Sequence, residues 1–325
     1  MTLVSSDTAV PGTAAPATGQ PSSSGAEPPR IVSAPRPGRW VAAAVVAVLV
    51  AMAAHAVVTN DNLHWELVWL FLPTHQVVSG LYLTLWLTAV VTVLGLALGA
   101  VLAVMRLSDN PVLQAVSWTY VWLFRSVPLL VQLLFWFSIG ALYPRLSIGI
   151  PFGPEFASAD ARALVSPIVA AIIGLTLHEA AFGAEIIRGG IASVDAGQAE
   201  AAKSLGLSAS RTYRRILLPQ AMRAIVPAAG NLLIGTLKGT AVVSVIAVSD
   251  LLLSVQLIYN RIYQIIPLLL VATIWYVIVT SVLSVLQYYV ERRFARGSRH
   301  LPPTPRQRLV AAYAQWRLTR AERAA

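Results

Sequence analysis

Six long runs of apolar residues, set apart by short polar stretches, occupy most of the chain between positions 41 and 290. They cover 41–58, 77–104, 126–144, 163–187, 224–249 and 265–290. A helix that crosses a bilayer needs roughly 17–25 apolar residues, because each adds about 1.5 Å toward a hydrocarbon core about 30 Å thick. The pattern therefore predicts an all-α, polytopic membrane bundle of about six transmembrane helices. The fourth run is interrupted by His178, Glu179 and Glu185, and the fifth by Lys238.

The flanks differ in character. Residues 1–39 hold seven of the 20 prolines among many Ser, Thr, Ala and Gly, which predicts a disordered tail. Residues 40–59 form an extra N-terminal crossing, 77–291 the main membrane domain, and 292–325 a basic tail. Within that tail, residues 306–323 mix apolar and basic positions, which suits a surface helix on anionic membrane lipid or a solvated tail. Ala54-His55-Ala56 has the small residues of a leader-cleavage site. The long proline-rich stretch before it is unlike the short basic start of a signal peptide, so the first run reads as a retained crossing.

Composition supports a membrane protein: 57% of residues are hydrophobic and only 12% charged, against about 25% charged in soluble domains. The absence of cysteine excludes disulfides, iron–sulfur clusters and thiolate zinc. A formal net charge of +10 could by itself mean nucleic acid, an anionic surface or topology. Position decides among them. With the N-terminus in the cytoplasm, 20 of the 24 basic residues fall on the cytoplasmic side. Arg145, Arg162 and Arg261 fall outside, and Lys238 lies within a run. Basic residues gather on the cytoplasmic side of membrane helices, so both termini are expected there, in the inner or plasma membrane, with no nucleic-acid partner.

One connection is more than a linker. Residues 189–226 are long and organised. Gln198 to Leu205 favour a helix, and Gly206 suits a left-handed C-cap. Ser208 can then cap a second, basic helix through Arg211, Arg214 and Ile216, with Pro219 ending it or bending the chain. A short helix, a tight turn and a basic helix make a rigid knob suited to docking a soluble partner.

Glu200-Ala201-Ala202, then Gly206 after three residues, then Ile216-Leu217-Leu218-Pro219 after nine more, resemble the EAA loop of ATP-binding-cassette (ABC) importer permeases. Arg125-Ser126-Val127-Pro128-Leu129-Leu130-Val131-Gln132 and Ala184-Glu185-Ile186-Ile187-Arg188-Gly189-Gly190-Ile191 are similar to the polar amino-acid subgroup, that of histidine, glutamine and glutamate permeases. Leu218-Pro219-Gln220-Ala221 and the segment from Tyr288 to Phe294 extend the likeness, which covers roughly residues 77–297. The chain departs from the subgroup at Lys238-Gly239, where an acidic residue commonly follows the lysine.

The resemblance implies a permease that pairs with a second copy or a homologous permease. It implies that the loop inserts into a cytoplasmic ABC ATPase dimer, and that an extracytoplasmic solute-binding protein delivers an amino acid. Glu200, Ala201, Ala202, Gly206, Ile216, Leu218 and Pro219 would carry the coupling. Ala201 and Ala202 would allow close backbone approach, Gly206 would make the turn, and Glu200 would supply a charged contact or a cap.

An ionisable group within a bilayer costs about 2.5 kcal/mol or more, so it usually faces a cavity or a partner. Glu179, Glu185, Arg188 and Lys238 are therefore candidates for a solute path. Glu185 and Arg188 are spaced to pair on one helix, locking its end. Glu179 lies deeper, where it could pair with Lys238 or meet a zwitterion. Gly95 with Gly99, and Gly235 with Gly239, have the four-residue spacing that lets membrane helices pack closely. Trp118, Tyr120 and Trp122 read as an interfacial belt.

No cofactor, metal site or catalytic residue is expected. His178-Glu179 begins like a zinc-hydrolase motif, but Phe182 stands where the second histidine belongs. The only lysines, Lys203 and Lys238, do not follow glycine, so no phosphate-binding loop is present. ATP hydrolysis must then reside on a separate subunit. An ion-coupled secondary transporter is the alternative reading; it would not need the organised loop, and its uptake would collapse with the ion gradient.

Overall fold

The computed structural model describes residues 37–150 and 154–294, with Val310 and Tyr313. The proline-rich tail over residues 1–36, and nearly all of the surface helix expected at 306–323, lie outside the described residues. The chain divides into two compact units, residues 1–59 and 60–325. The first contains helix α1, Pro37–Val58, whose apolar stretch Val41–Val58 has Val45, Leu49 and Met52 exposed.

The second unit begins with a 3-10 turn at Asp61–Leu63 and a short helix α2, Trp65–Phe71. Helix α3, His75–Arg106, is 32 residues long, enough for a full crossing. Then come α4, Pro111–Ser126, and α5, Leu129–Phe137, bent at 102° to each other. A one-turn helix α6, Ile139–Leu142, leads into an antiparallel hairpin of strands β1, Arg145–Gly149, and β2, Glu155–Asp160. After the one-turn helix α7, Ala161–Leu164, comes the long apolar helix α8, Pro167–Ala192. The loop helices α9, Ala196–Ser204, and α10, Ala209–Thr212, precede a π turn at Tyr213–Leu217 and the long helix α11, Leu218–Gly239. A 3-10 segment, Thr240–Ile246, ends at a left-handed Ala247 and is followed by α12, Leu251–Ile262, and α13, Ile265–Phe294.

Five apolar helical segments are long enough to cross a membrane, and the bent pair α4–α5 makes a sixth if it counts as one span. Helix direction bears on that count. Gly95 of α3 lies on Glu179 of α8, and Gly99 lies on Gly183 and Ala184, so α3 and α8 run parallel. Parallel neighbours require the chain to return between them, and α4–α5 is the apolar helical stretch available among the described residues. The expected straight crossing over 126–144 is thus replaced by a kinked one. Val127 is extended, as a residue before proline prefers, and Pro128 has no N–H to continue the ladder. The carbonyls released at the break, Phe124 O and Val127 O, accept hydrogen bonds from Gln132 Nε2 at 2.9 and 2.7 Å. Their satisfaction is what lets a break sit in an apolar setting.

Packing is closest where side chains are smallest. A Cβ added at Gly95 would lie 2.7 Å from Glu179 Cβ, and one at Gly99 would lie 2.9 Å from the Ala184 backbone nitrogen. Backbone-to-backbone contact of this kind drives helix association where lipid removes the hydrophobic gain. Gly235 has open space and Gly239 only one ordinary contact, so the second glycine pair makes no such approach. Away from the loop, Val68, Val77, Leu251, Val255 and Leu268 form a second centre joining α2, α3, α12 and α13. Trp275 Nε1 donates to Leu72 O at 3.0 Å across it.

Candidate functional site

The loop between α8 and α11 folds as a small knob. Asp195 caps α9, accepting from the Gly197 N–H at 2.8 Å. At the other end Gly206, with φ of +71°, closes the helix: its N–H donates to Lys203 O, and the Leu207 N–H to Ala202 O. These two bonds, nested one inside the other, are the Schellman arrangement that a left-handed glycine permits. Ser208 stands at the start of α10 with an extended backbone, but its side chain makes no cap; its carbonyl receives the Thr212 N–H instead.

Pro219 neither ends the helix nor breaks it. The π turn at Tyr213–Leu217 precedes it, with the Leu218 N–H reaching back five residues to Tyr213 O. A proline needs relief from its clash with the preceding turn, and the wider π turn provides it. As a result residues 209–246 run as one helical stretch from the knob into the membrane. Within the knob, Ala202 is 1% exposed and packs inward with Thr212 and Leu217, so it serves the knob's own packing. Glu200, Ala201, Leu218 and Pro219 are exposed and Ile216 is half-buried. The tip carries Leu205 at 78% exposed, an apolar residue that the sequence reading did not single out. Arg211, Arg214 and Arg215 are exposed on the same body.

Deeper in the bundle, Glu179 of α8 is buried, and its Oε2 has no hydrogen-bond partner among the described residues. The side chain of Thr236 on α11 approaches it. The register that pairs Gly95 with Glu179 brings Thr92 level with Thr176, and both of those hydroxyls are likewise buried and unpartnered among the described residues. Three helices therefore place a carboxylate and three hydroxyls within about one helical turn of one another. Lys238 is not among them. It is exposed, whereas Thr236 and Leu237 are buried. Two positions along a helix turn through roughly 200°, so with Thr236 facing Glu179, Lys238 points the other way.

Glu185 and Arg188 do pair, through contacts of 2.8, 3.1 and 3.2 Å on the last turns of α8. That commits both side chains to each other at the loop end of the helix. Arg125 stacks over Phe182 at 5.2 Å, and His178 meets Gln132 at 3.2 Å, which holds the α4–α5 break against α8. Trp118 and Trp122 stack and are exposed, but the Tyr120 hydroxyl donates to Leu177 O, so Tyr120 faces the bundle and leaves the expected belt.

One buried acidic residue was not singled out by the sequence reading. Asp250 is 0% exposed at the start of α12, accepting from the Leu253 N–H at 2.9 Å. Its helix-capping position was the available signal.

Comparison with known proteins bears on the fold and the family. Residues 95–296 match the model of the binding-protein-dependent transport system inner membrane component family. The arginine transport system permease protein ArgU of Corynebacterium glutamicum is 44% identical over 86% of this chain and 87% of its own length. The histidine/lysine/arginine/ornithine transport system permease protein HisM of Escherichia coli is 35% identical over 70% of this chain and 90% of its own. Among solved structures, an amino acid ABC transporter with histidines superposes with a TM-score of 0.58 at 33% identity, over 67% of this chain and 94% of that one. A methionine ABC transporter at 21% identity, TM-score 0.57, shares the fold.

Proposed function

Because the chain belongs to the family of binding-protein-dependent transport system inner membrane components, we propose that it carries a cationic amino acid of the arginine type, with Glu179 as the membrane counter-charge. The protein is a multi-pass permease subunit of an ABC importer for polar amino acids. The observation that carries the finer reading is the buried Glu179 carboxylate oxygen without a partner among the described residues, with Thr236 of α11 beside it and the hydroxyls of Thr92 and Thr176 about one turn away. A carboxylate held in a low-dielectric setting without a cation is costly, and a passing guanidinium or ammonium relieves that cost. The names of the two relatives favour the same class.

The knob is the coupling element of this reading. Its exposed tip of Leu205 and Ala201, with Glu200 beside them, enters a cleft on a cytoplasmic ATPase, one of two that close on ATP. The helical stretch over residues 209–246 carries that movement into the membrane. A solute-binding protein supplies the amino acid at the hairpin end, and a second permease completes the pathway. Glu185 with Arg188 closes the loop end of α8 rather than holding solute.

Uptake of labelled arginine into proteoliposomes holding the whole complex tests the assignment. Glu179→Gln should lower the rate at least tenfold while assembly and ATP hydrolysis persist, and lysine should compete better than glutamine. Arginine uptake by Glu179→Gln at the parent rate, or equal competition by glutamine, would exclude Glu179 as the counter-charge.

A further inference from the structure

Asp250 is the second buried carboxylate of the bundle, and it lies at the opposite end of the membrane segment from the knob. One of its oxygens accepts from the Leu253 N–H; Oδ2 is buried without a partner among the described residues. Tyr276 of α13 packs against the cluster that contains Leu251, the neighbour of Asp250, with the Thr240 side chain beside its hydroxyl, and that hydroxyl too is buried without a partner among the described residues. The Thr240 hydroxyl already donates to Leu237 O at 2.7 Å, so its proton is committed. A buried acceptor and a buried donor, neither with a hydrogen-bond partner among the described residues, thus lie in one neighbourhood, in a setting where each unmet group is costly.

The surroundings of the pair are fixed on one side and tied to the knob on the other. The first turn of α12 is bolted to α3: the Leu251 N–H donates to Thr84 Oγ1 at 3.0 Å, and a side chain at Gly80 would collide with Ser254 Oγ. Gln76 adds a bond to Ser254 O at 3.2 Å. Thr240, by contrast, opens the 3-10 segment that ends the helical stretch begun at the knob. A displacement of the knob along that stretch is delivered beside Asp250 and Tyr276, just before the left-handed Ala247 lets the chain turn.

We propose that Asp250 and Tyr276 are the two halves of a latch at the end of the bundle away from the coupling loop. Their hydrogen bond, Tyr276 O–H to Asp250 Oδ2, is made in one state of the transport cycle and open in the one described here. Both are positioning residues, acting through α12 and α13 rather than on the solute. The inference rests on the ATP-coupled reading above but not on the identity of the amino acid.

Two substitutions isolate the bond. Tyr276→Phe removes one hydroxyl. Asp250→Ser keeps a good helix cap and leaves no second oxygen for Tyr276. In proteoliposomes holding the complete complex, each variant should raise ATP hydrolysis in the absence of binding protein at least threefold, and lower labelled arginine taken up per ATP by a similar factor. The double variant should be no worse than either single one, because the same bond is lost. Unchanged hydrolysis in Tyr276→Phe, or effects that multiply in the double variant, overturn the latch. If Asp250→Ser does not assemble, Tyr276→Phe alone decides. Should the parent complex hydrolyse ATP yet take up no arginine, the substrate assignment fails while the hydrolysis rates still judge the latch.

Discussion

Gly206 has open space where a side chain would project, so a substitution there meets backbone strain and no clash. For an L-residue that strain is about 1–2 kcal/mol, enough to favour another path for the loop between α9 and α10. Gly206→Asp adds a charge beside the apolar tip residue Leu205. We expect it to insert and assemble normally, to lose at least nine-tenths of solute uptake, and to retain ATP hydrolysis; parallel uptake and hydrolysis assays check this. Gly95 poses the opposite problem, since its Cβ position is already taken by Glu179. Gly95→Val should part α3 from α8 and lower the melting temperature of the purified protein, measurably more than Gly235→Val, where space is open. At this scale the sequence revealed kinds of residue better than their partners. The turn at Gly206 was legible because only one backbone shape suits a glycine between two helices. The partner of Glu179 was not, because Thr236 and Lys238 differ only in the rotation of α11, which depends on packing.

Among the elements, the kinked pair α4–α5 shows how an expected crossing can be right in number and wrong in shape. The run over 126–144 has the apolar length, but Val127-Pro128 supplied a local signal for a break that length alone hides. Gln132 then ties the break, donating to both Phe124 O and Val127 O. Gln132→Leu roughly keeps the volume but removes the donor, leaving two carbonyls unmet. Each such loss costs about 1–3 kcal/mol, so a fall in thermal stability in detergent is expected. Gln132→Met, which has no donor either, should fall with it. The same logic explains Pro219. Sequence suggested an end or a bend, whereas the π turn ahead of it preserves helical continuity. That choice depends on hydrogen bonds among residues 213–218, which composition does not report.

For the whole molecule, the distribution of arginines makes a claim about orientation that helix packing alone does not address. The knob end of α8 and α11 carries Arg188, Arg211, Arg214, Arg215 and Arg223, while the hairpin end carries few basic residues. With the knob in the cytoplasm, a fluorescent protein fused after residue 325 should mature, and a phosphatase inserted in the 149–155 hairpin connection should be active. The reverse pattern would refute the orientation. The π turn at Tyr213–Leu217 sets one further property, the angular phase of the knob about the axis of α11. It stores one residue more than an α turn needs. Deleting a single residue within it would restore ordinary winding with little rotation, because the wide turn already absorbs the extra residue; deleting one from the ordinary helical turn over residues 220–223 would instead swing the knob by about 100° around that axis. The permease would remain folded and inserted, yet present the wrong side of its knob to the ATPase, like a key cut correctly but turned in the lock.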